Sequence, residues 1–358
     1  MRSHPSAALL FAGIAASSLV LSGCATASSP AAESADTADA ADAGQVRIIA
    51  STDVYGDIAT RVGGEFVEVT SIISGSAQDP HSYEATARDQ LALSDADLVI
   101  ENGGGYDPFI DAMLDASGDE NVIVVNASEA SGLIDGAGGH DDHAGETEEE
   151  HAEHEGEEKH AEGEEHPDEE GAHDHEGEDT HAHIEGFNEH VWYSFHGVEK
   201  IAGEIAHQLG KIDEANASAY EENYEAFAAE IVELEERAEG MRAQVAGQGV
   251  AVTEPVPDYL LEEVGFENLT PPDFSEAVEE GTDVAPAVLQ QTLSLFSDGS
   301  VALLAYNEQT SGPVTEQVRA AAEDAGVPVV SLTETLPEGE DYIGWMSANL
   351  DALEGALA

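Results

Sequence analysis

Ten histidines fall within residues 136–185 of this 358-residue chain: His140, His143, His151, His154, His160, His166, His173, His175, His181 and His183. Asp and Glu fill much of the space between them, as in HEGEEKHAEGEEHPDEEGAHDHEGEDTHAH (154–183). Imidazole and carboxylate are the ligands of borderline divalent cations, zinc above all, so a tract of this composition is a metal-binding signal. A solvated acidic loop without a role would account for the carboxylates but not for the histidines. The tract has almost nothing a core could use, so it is expected to be a disordered loop with many weak, interchangeable auxiliary metal sites. The HExxH spacing of a zincin helix does not occur in it.

A fixed site has to come from the folded parts of the chain. His81 sits in QDPHSYEAT, with Pro80 restricting the backbone just before it. On its own a loop histidine is as readily a surface residue as a ligand. His190, in FNEHVWYS, lies beside Trp192, which can shield a site from water. Other candidates have plainer readings. His196 and His207 fall on the following helical stretch and read as surface or packing residues. NGGGYDP (102–108) lacks the Lys-Ser/Thr of a phosphate loop and reads as a sharp strand-to-helix turn. NEQTSGP (307–313) reads as a cap for the next helix, with any cleft-facing role secondary.

The formal net charge is −66, with 10 Lys plus Arg against 76 Asp plus Glu. Phosphate backbones and anionic headgroups would be repelled, which argues against nucleic acid and leaves cations as the attractive ligand class. The N-terminus carries Arg2 and then an apolar stretch, Ala7 to Leu21, too short for a typical spanning helix and read as an export signal. It ends in LSGC, where Cys24 is the only cysteine. This resembles a bacterial lipobox and predicts a signal peptide over 1–23, lipidation of Cys24 and an extracytoplasmic protein anchored to the cell membrane by acyl chains. Residues 24–45 read as a disordered tether.

The elements that must position a site follow from periodicity. VRIIAS (46–51), FVEVTSII (66–73), ADLVIEN (96–102) and NVIVVNAS (121–128) are strand signals separated by helical stretches. After the tract, Tyr220, Tyr224, Phe227, Ile231, Leu234, Ala238 and Met241 step by three or four, which predicts one long linker helix with an apolar packing stripe. The same grammar then repeats: strands at 249–254, 301–308 and 327–332, helices at 257–265, 286–297 and about 314–324, and a closing helix from Tyr342. The expectation is an α/β chain of two lobes, each a mostly parallel sheet covered by helices. The N-terminal lobe spans 46–212, the linker helix 213–247 and the C-terminal lobe 248–358. Ligands in such sheets bind at the strand ends, here across a cleft.

DPHSYE, a His-rich insertion, HVWYS, NEQTSGPVTEQVRAAAEDAGVPVV and LTETLPEGEDYIGWMSANLDAL, behind a lipobox, together resemble the zinc and manganese substrate-binding proteins of ABC importers, the ZnuA- and TroA-like family. The resemblance covers residues 46–358. It implies four metal ligands converging from both lobes: His81, His190, Glu254 just after the first strand of the second lobe, and Glu334 where the family usually has Asp. Two neutral imidazoles and two carboxylates would neutralise a divalent ion and leave little room for a reactive water, which suits holding the ion rather than catalysis. The set would accept manganese, and the His-rich tract tips the expectation to Zn²⁺ as the transported ligand, with Mn²⁺ the alternative. A second alternative is an extracytoplasmic zinc buffer or chaperone acting mainly through the tract. The partners implied are an ABC permease membrane subunit with its cytoplasmic ATPase, and the protein is expected to be a monomer and not an enzyme.

Overall fold

The computed structural model describes residues 44–75, 80–81, 83–118, 122–134, 184, 186–245 and 247–357. The export signal, Cys24, most of the tether and the ten tract histidines lie outside the described residues.

The first lobe alternates strand and helix: β1 (Val46–Thr52), α1 (Asp53–Gly63), β2 (Val67–Ile73), α2 (Ala87–Ser94), β3 (Leu98–Glu101), α3 (Pro108–Ser117), β4 (Ile123–Asn126) and α4 (Ala127–Ser131). All pairings are parallel, in the order β2-β1-β3-β4. The chain leaves β1 toward one edge and returns to its other side with β3, so the carboxyl ends of these strands border a switch point where α/β sheets hold ligands. β1 and β3 are buried along nearly their whole length, which is why they read as unbroken apolar runs.

A 3₁₀ turn, Val191–Tyr193, leads into α5 (Phe195–Ile212) and then α6 (Ala217–Val245), whose 29 residues give a rod about 44 Å long. The second lobe follows: β5 (Gly249–Val252), α7 (Asp258–Val264), β6 (Glu267–Asn268), α8 (Pro272–Glu279), α9 (Pro286–Ser297), β7 (Val301–Tyr306), α10 (Pro313–Ala325), β8 (Val329–Ser331) and α11 (Tyr342–Ala356). Its sheet is again all parallel, β6-β5-β7-β8. The short pair β6 and α8 is absent from the periodicity reading, because two strand residues and eight helical ones behind Pro271 and Pro272 give little pattern to read.

One face of α6 fuses the two lobes. Tyr220, Phe227, Ile231, Leu234, Ala238, Met241 and Val245 are buried in a core that runs from Ile48 and Trp192 in the first lobe to Val250 and Trp345 in the second. Polar ties follow the same seam. Arg61 on α1 pairs with Glu230 on α6 at 2.9 Å and with Asp341 before α11 at 2.8 Å. Tyr342 donates its hydroxyl to the Trp192 carbonyl at 2.7 Å and its amide to Asp57 at 2.9 Å.

Candidate metal site between the lobes

His190 stands immediately before the 3₁₀ turn and is fully buried. Its Nδ1 lies 2.7 Å from Asn188 Oδ1, and its backbone amide donates to the same oxygen at 3.1 Å. The Asn188 amide cannot be the other way round, because its Nδ2 donates to the Pro255 carbonyl at 2.9 Å, and a proline carbonyl can only accept. Nδ1 of His190 therefore carries the proton, and the lone pair is on Nε2, the nitrogen that a metal would take.

That Nε2 faces Glu279 Oε1 at 3.4 Å, and His81 Nε2 lies 4.0 Å from the same oxygen. Donor atoms of all three residues fall within 4.8 Å of one another. Ligands about 2.1 Å from a tetrahedral ion stand about 3.4 Å apart, so the spacing is that of groups around an ion rather than groups bonded to each other. Side-chain exposures of 1% for His190, 16% for His81 and 11% for Glu279 keep the group largely out of solvent. Glu279 is the last residue of α8 and no sequence signal singles it out among the acidic residues.

Glu254 and Glu334, expected as ligands, fall outside that three-residue group, though both lie near enough for their charges to act on Glu279. Burial pushes the Glu279 carboxyl up to about 10, and the negative charges of Glu189, Glu254, Glu334 and Glu280 add to the rise. Glu254, just past β5, is buried, with Oε2 accepting from Asn307 Nδ2 at 2.6 Å and from the Thr310 hydroxyl. Glu334, past β8, accepts from the Tyr106 hydroxyl at 2.7 Å, while its backbone amide donates to Gln309 Oε1 at 2.7 Å. The NEQT segment after β7 is thus chiefly a device for orienting two buried carboxylates. The helix-capping contact there is made further on, by Gly312 with Thr315. The capping role expected of the whole stretch belongs to its end alone.

The floor comes from NGGGYDP. Gly103, Gly104 and Gly105 take φ of 70°, 67° and 100°, a run that side chains with a Cβ would resist. Asp107 closes the turn by accepting the Asn102 and Gly103 amides at 2.6 and 2.8 Å. Asn102 Nδ2 then donates to the Glu189 carbonyl at 3.0 Å, which fixes the backbone entering His190. The turn delivers the Tyr106 ring against His81 (4.8 Å between centroids), His190 (5.8 Å) and Trp192 (4.8 Å). Trp192 packs on His190 at 5.1 Å from the other side. Asn102, Tyr106, Asn188, Asn307 and Gln309 went unassigned from sequence because neutral amides and an aromatic ring carry no ligand signature of their own.

Of the remaining histidines, His207 is exposed on α5. His196, in the first turn of α5, has its side chain 64% exposed, 3.8 Å from Glu199 and within 4.8 Å of Glu235 on α6, a surface group rather than a shaped pocket.

Two parallel-sheet lobes on a helical spine, with imidazoles and carboxylates converging at their strand ends, define a two-lobed substrate-binding protein with a metal-type site. The chain belongs to the ZnuA family, zinc-uptake complex component A periplasmic, which it matches over residues 48–356. It is similar to the manganese-binding lipoprotein MntA of Halalkalibacterium halodurans, at 22% identity over 321 residues, 87% of this chain and 89% of MntA. It is also similar to the zinc-binding lipoprotein AdcA of Streptococcus pneumoniae, at 24% identity over 87% of this chain, and spans 56% of that longer protein. Among solved structures, the SBP FpvC from Pseudomonas aeruginosa in complex with Ni²⁺ has the same fold, with a TM-score of 0.62 at 22% identity over 88% of this chain and 97% of FpvC. Among the described residues no helix is long and apolar enough to cross a membrane.

Proposed function

We propose that this protein is the extracytoplasmic receptor of an ABC importer, holding one Zn²⁺ between its lobes and delivering it to a permease driven by a cytoplasmic ATPase. The observation that carries the reading is the convergence of His81, His190 and Glu279 at ligand spacing, with the Nε2 lone pair of His190 aimed into the group. His81 and His190 supply nitrogen, and Glu254 and Glu334 supply oxygen from the second lobe. Donors from both lobes mean that the ion itself adds to the contact between them. Four protein ligands would leave no open position for an activated water, which supports carriage over catalysis. Membrane attachment through acylated Cys24 and a collecting role for the His-rich tract complete the proposal.

A manganese receptor is the second reading, favoured by the carboxylates Glu189, Glu254, Glu279 and Glu334 around one space, since oxygen-rich sets suit Mn²⁺. The test is a chelator-competition titration of protein lacking residues 136–185, which removes the tract's weak sites. One tight equivalent of zinc, weaker manganese binding, and loss of the tight equivalent in His81→Ala/His190→Ala are expected. If the deletion removes all tight binding, the tract is the functional element and the receptor reading fails. Elemental analysis of untagged protein, purified without added metal, reports which ion it carries.

A further inference from the structure

Three of the five side chains around the site, His190, Glu254 and Glu334, sit on short segments directly attached to strand ends or to the 3₁₀ turn. Glu279 does not. It ends α8, an eight-residue helix in the excursion between β6 and α9. α8 is held to its own lobe by Phe274, fully buried against the cluster that includes Phe296 and Leu304, with Val278 beside it. Beyond it, residues 280–283 and 285–286 are exposed. Among the described residues, Glu279 makes α8's polar contact with the N-terminal lobe. The Ser275 hydroxyl, by contrast, donates to the Pro272 carbonyl at 3.3 Å and stays inside the helix.

The Glu279 carboxylate has no Lys or Arg partner among the described residues, and its Oε1 is buried without a hydrogen bond. A buried carboxylate in that position is strongly disfavoured unless a cation joins it. Among the described residues, two imidazole nitrogens of the opposite lobe approach its Oε1 at ion-ligand spacing. An ion placed among them would therefore be bonded at once to the first lobe and to the end of α8.

We infer that Glu279 is a further ligand of the transported ion, and that capturing the ion fastens α8 to the N-terminal lobe. This rests on the receptor reading given above. It assigns α8 and the exposed turn after it as the surface that differs between loaded and empty protein. A permease that must tell the two apart has a local feature to read, which a fused core that resists wide lobe opening would not otherwise give it. The coupling is thermodynamic: whatever free energy the ion gains from Glu279 is the free energy by which it shifts α8 toward the fastened state.

Hydrogen–deuterium exchange of the full chain, with and without Zn²⁺, reads this locally and is not confused by zinc taken up elsewhere. In wild-type protein, zinc is expected to slow exchange both in peptides over 186–195, around His190, and in peptides over 272–285. In Glu279→Gln the slowing at 186–195 should persist at saturating zinc and the slowing at 272–285 should be lost, with affinity weakened at least about tenfold. Glu276→Gln, altering an exposed carboxylate on the same helix, should behave as wild type. If α8 slows equally in Glu279→Gln, or never responds in wild type while 186–195 does, the inference is wrong and the receptor reading stands. If neither segment of the wild type responds, the receptor reading itself falls and takes this inference with it.

Discussion

Asn188 Oδ1 lies 2.7 Å from Nδ1 of His190 while Asn188 Nδ2 holds the Pro255 carbonyl, so one amide side chain both sets a tautomer in the first lobe and grips the second. Tyr259 strengthens the grip by donating its hydroxyl to the Asn188 carbonyl at 2.8 Å. Pro255 follows Glu254 directly, so the two proposed ligands are set by a common support. Asn188→Ala should leave the fold intact, free His190 to turn or change tautomer, and weaken zinc binding by about 10- to 100-fold. Chelator competition checks the affinity, and circular dichroism the fold. An unchanged dissociation constant would mean that the imidazole is held by its neighbours alone.

Tyr106 gives a more delicate case. Its ring walls the site and its hydroxyl donates to Glu334. Tyr106→Phe keeps the wall and removes the donor. A hydrogen bond to a charged group contributes about 1.5–3 kcal/mol, so a loss of about 10- to 150-fold in zinc affinity is expected, with His81 and His190 still engaged. Tyr106→Ala should do worse, because it also opens buried His190 and half-buried His81 to water. Equal affinities for Phe and wild type would show that Glu334 does not need this donor to hold its place.

How much of this was readable beforehand depends on the kind of signal each residue carries. The alternation of β-branched runs with amphipathic stretches identified two parallel sheets and the long helix between them, because β1, β3 and β7 are buried through most of their length and α6 buries a single stripe. His81 and His190 stood out because only five of 15 histidines lie outside the tract. Glu279 could not stand out among 76 acidic residues, and what sets it apart is where α8 ends, which no local pattern records. Asn307 and Gln309 lie in the stretch that reads as a cap for the next helix. That their amides point back at Glu254 and at the Glu334 backbone follows only from β7 lying between β5 and β8.

Buried carboxylates below the site impose a pH dependence on stability. Burial raises Glu101 from 4.5 to about 7, with Asp107 and Asp111 adding to the rise, and Asn126 partly opposing it through a 2.9 Å hydrogen bond. Because the folded state holds this proton more tightly than the unfolded chain, folding is favoured most below about pH 4.5. That advantage is lost progressively as pH rises to about 7, by something of order 1–3 kcal/mol. Glu101→Gln can still accept from Asn126 and has no proton to lose. Chelated, metal-free protein carrying it should be more stable than wild type at pH 8 and show a flatter profile from pH 5 to 7 in urea denaturation. Parallel profiles for the two proteins would show that Glu101 already titrates normally in the fold.

The shared core makes the two lobes one cooperative unit. Phe227 is buried at mid-length on α6, packs on Tyr342 of α11 with ring centroids 6.1 Å apart, and carries Arg61 of α1 over its face at 5.7 Å. Removing it takes away contacts to both lobes at once, and a buried Phe→Ala change costs about 3–5 kcal/mol. Phe227→Ala should therefore lower the melting temperature of the whole body while leaving a single transition, since neither sheet can release α6 without exposing the other's core. Calorimetry reads this directly. Two separated transitions in the variant, with the second at the wild-type temperature, would mean that one lobe keeps its stability without the spine. The ion would then be joining two independent bodies rather than a structure already fastened along α6.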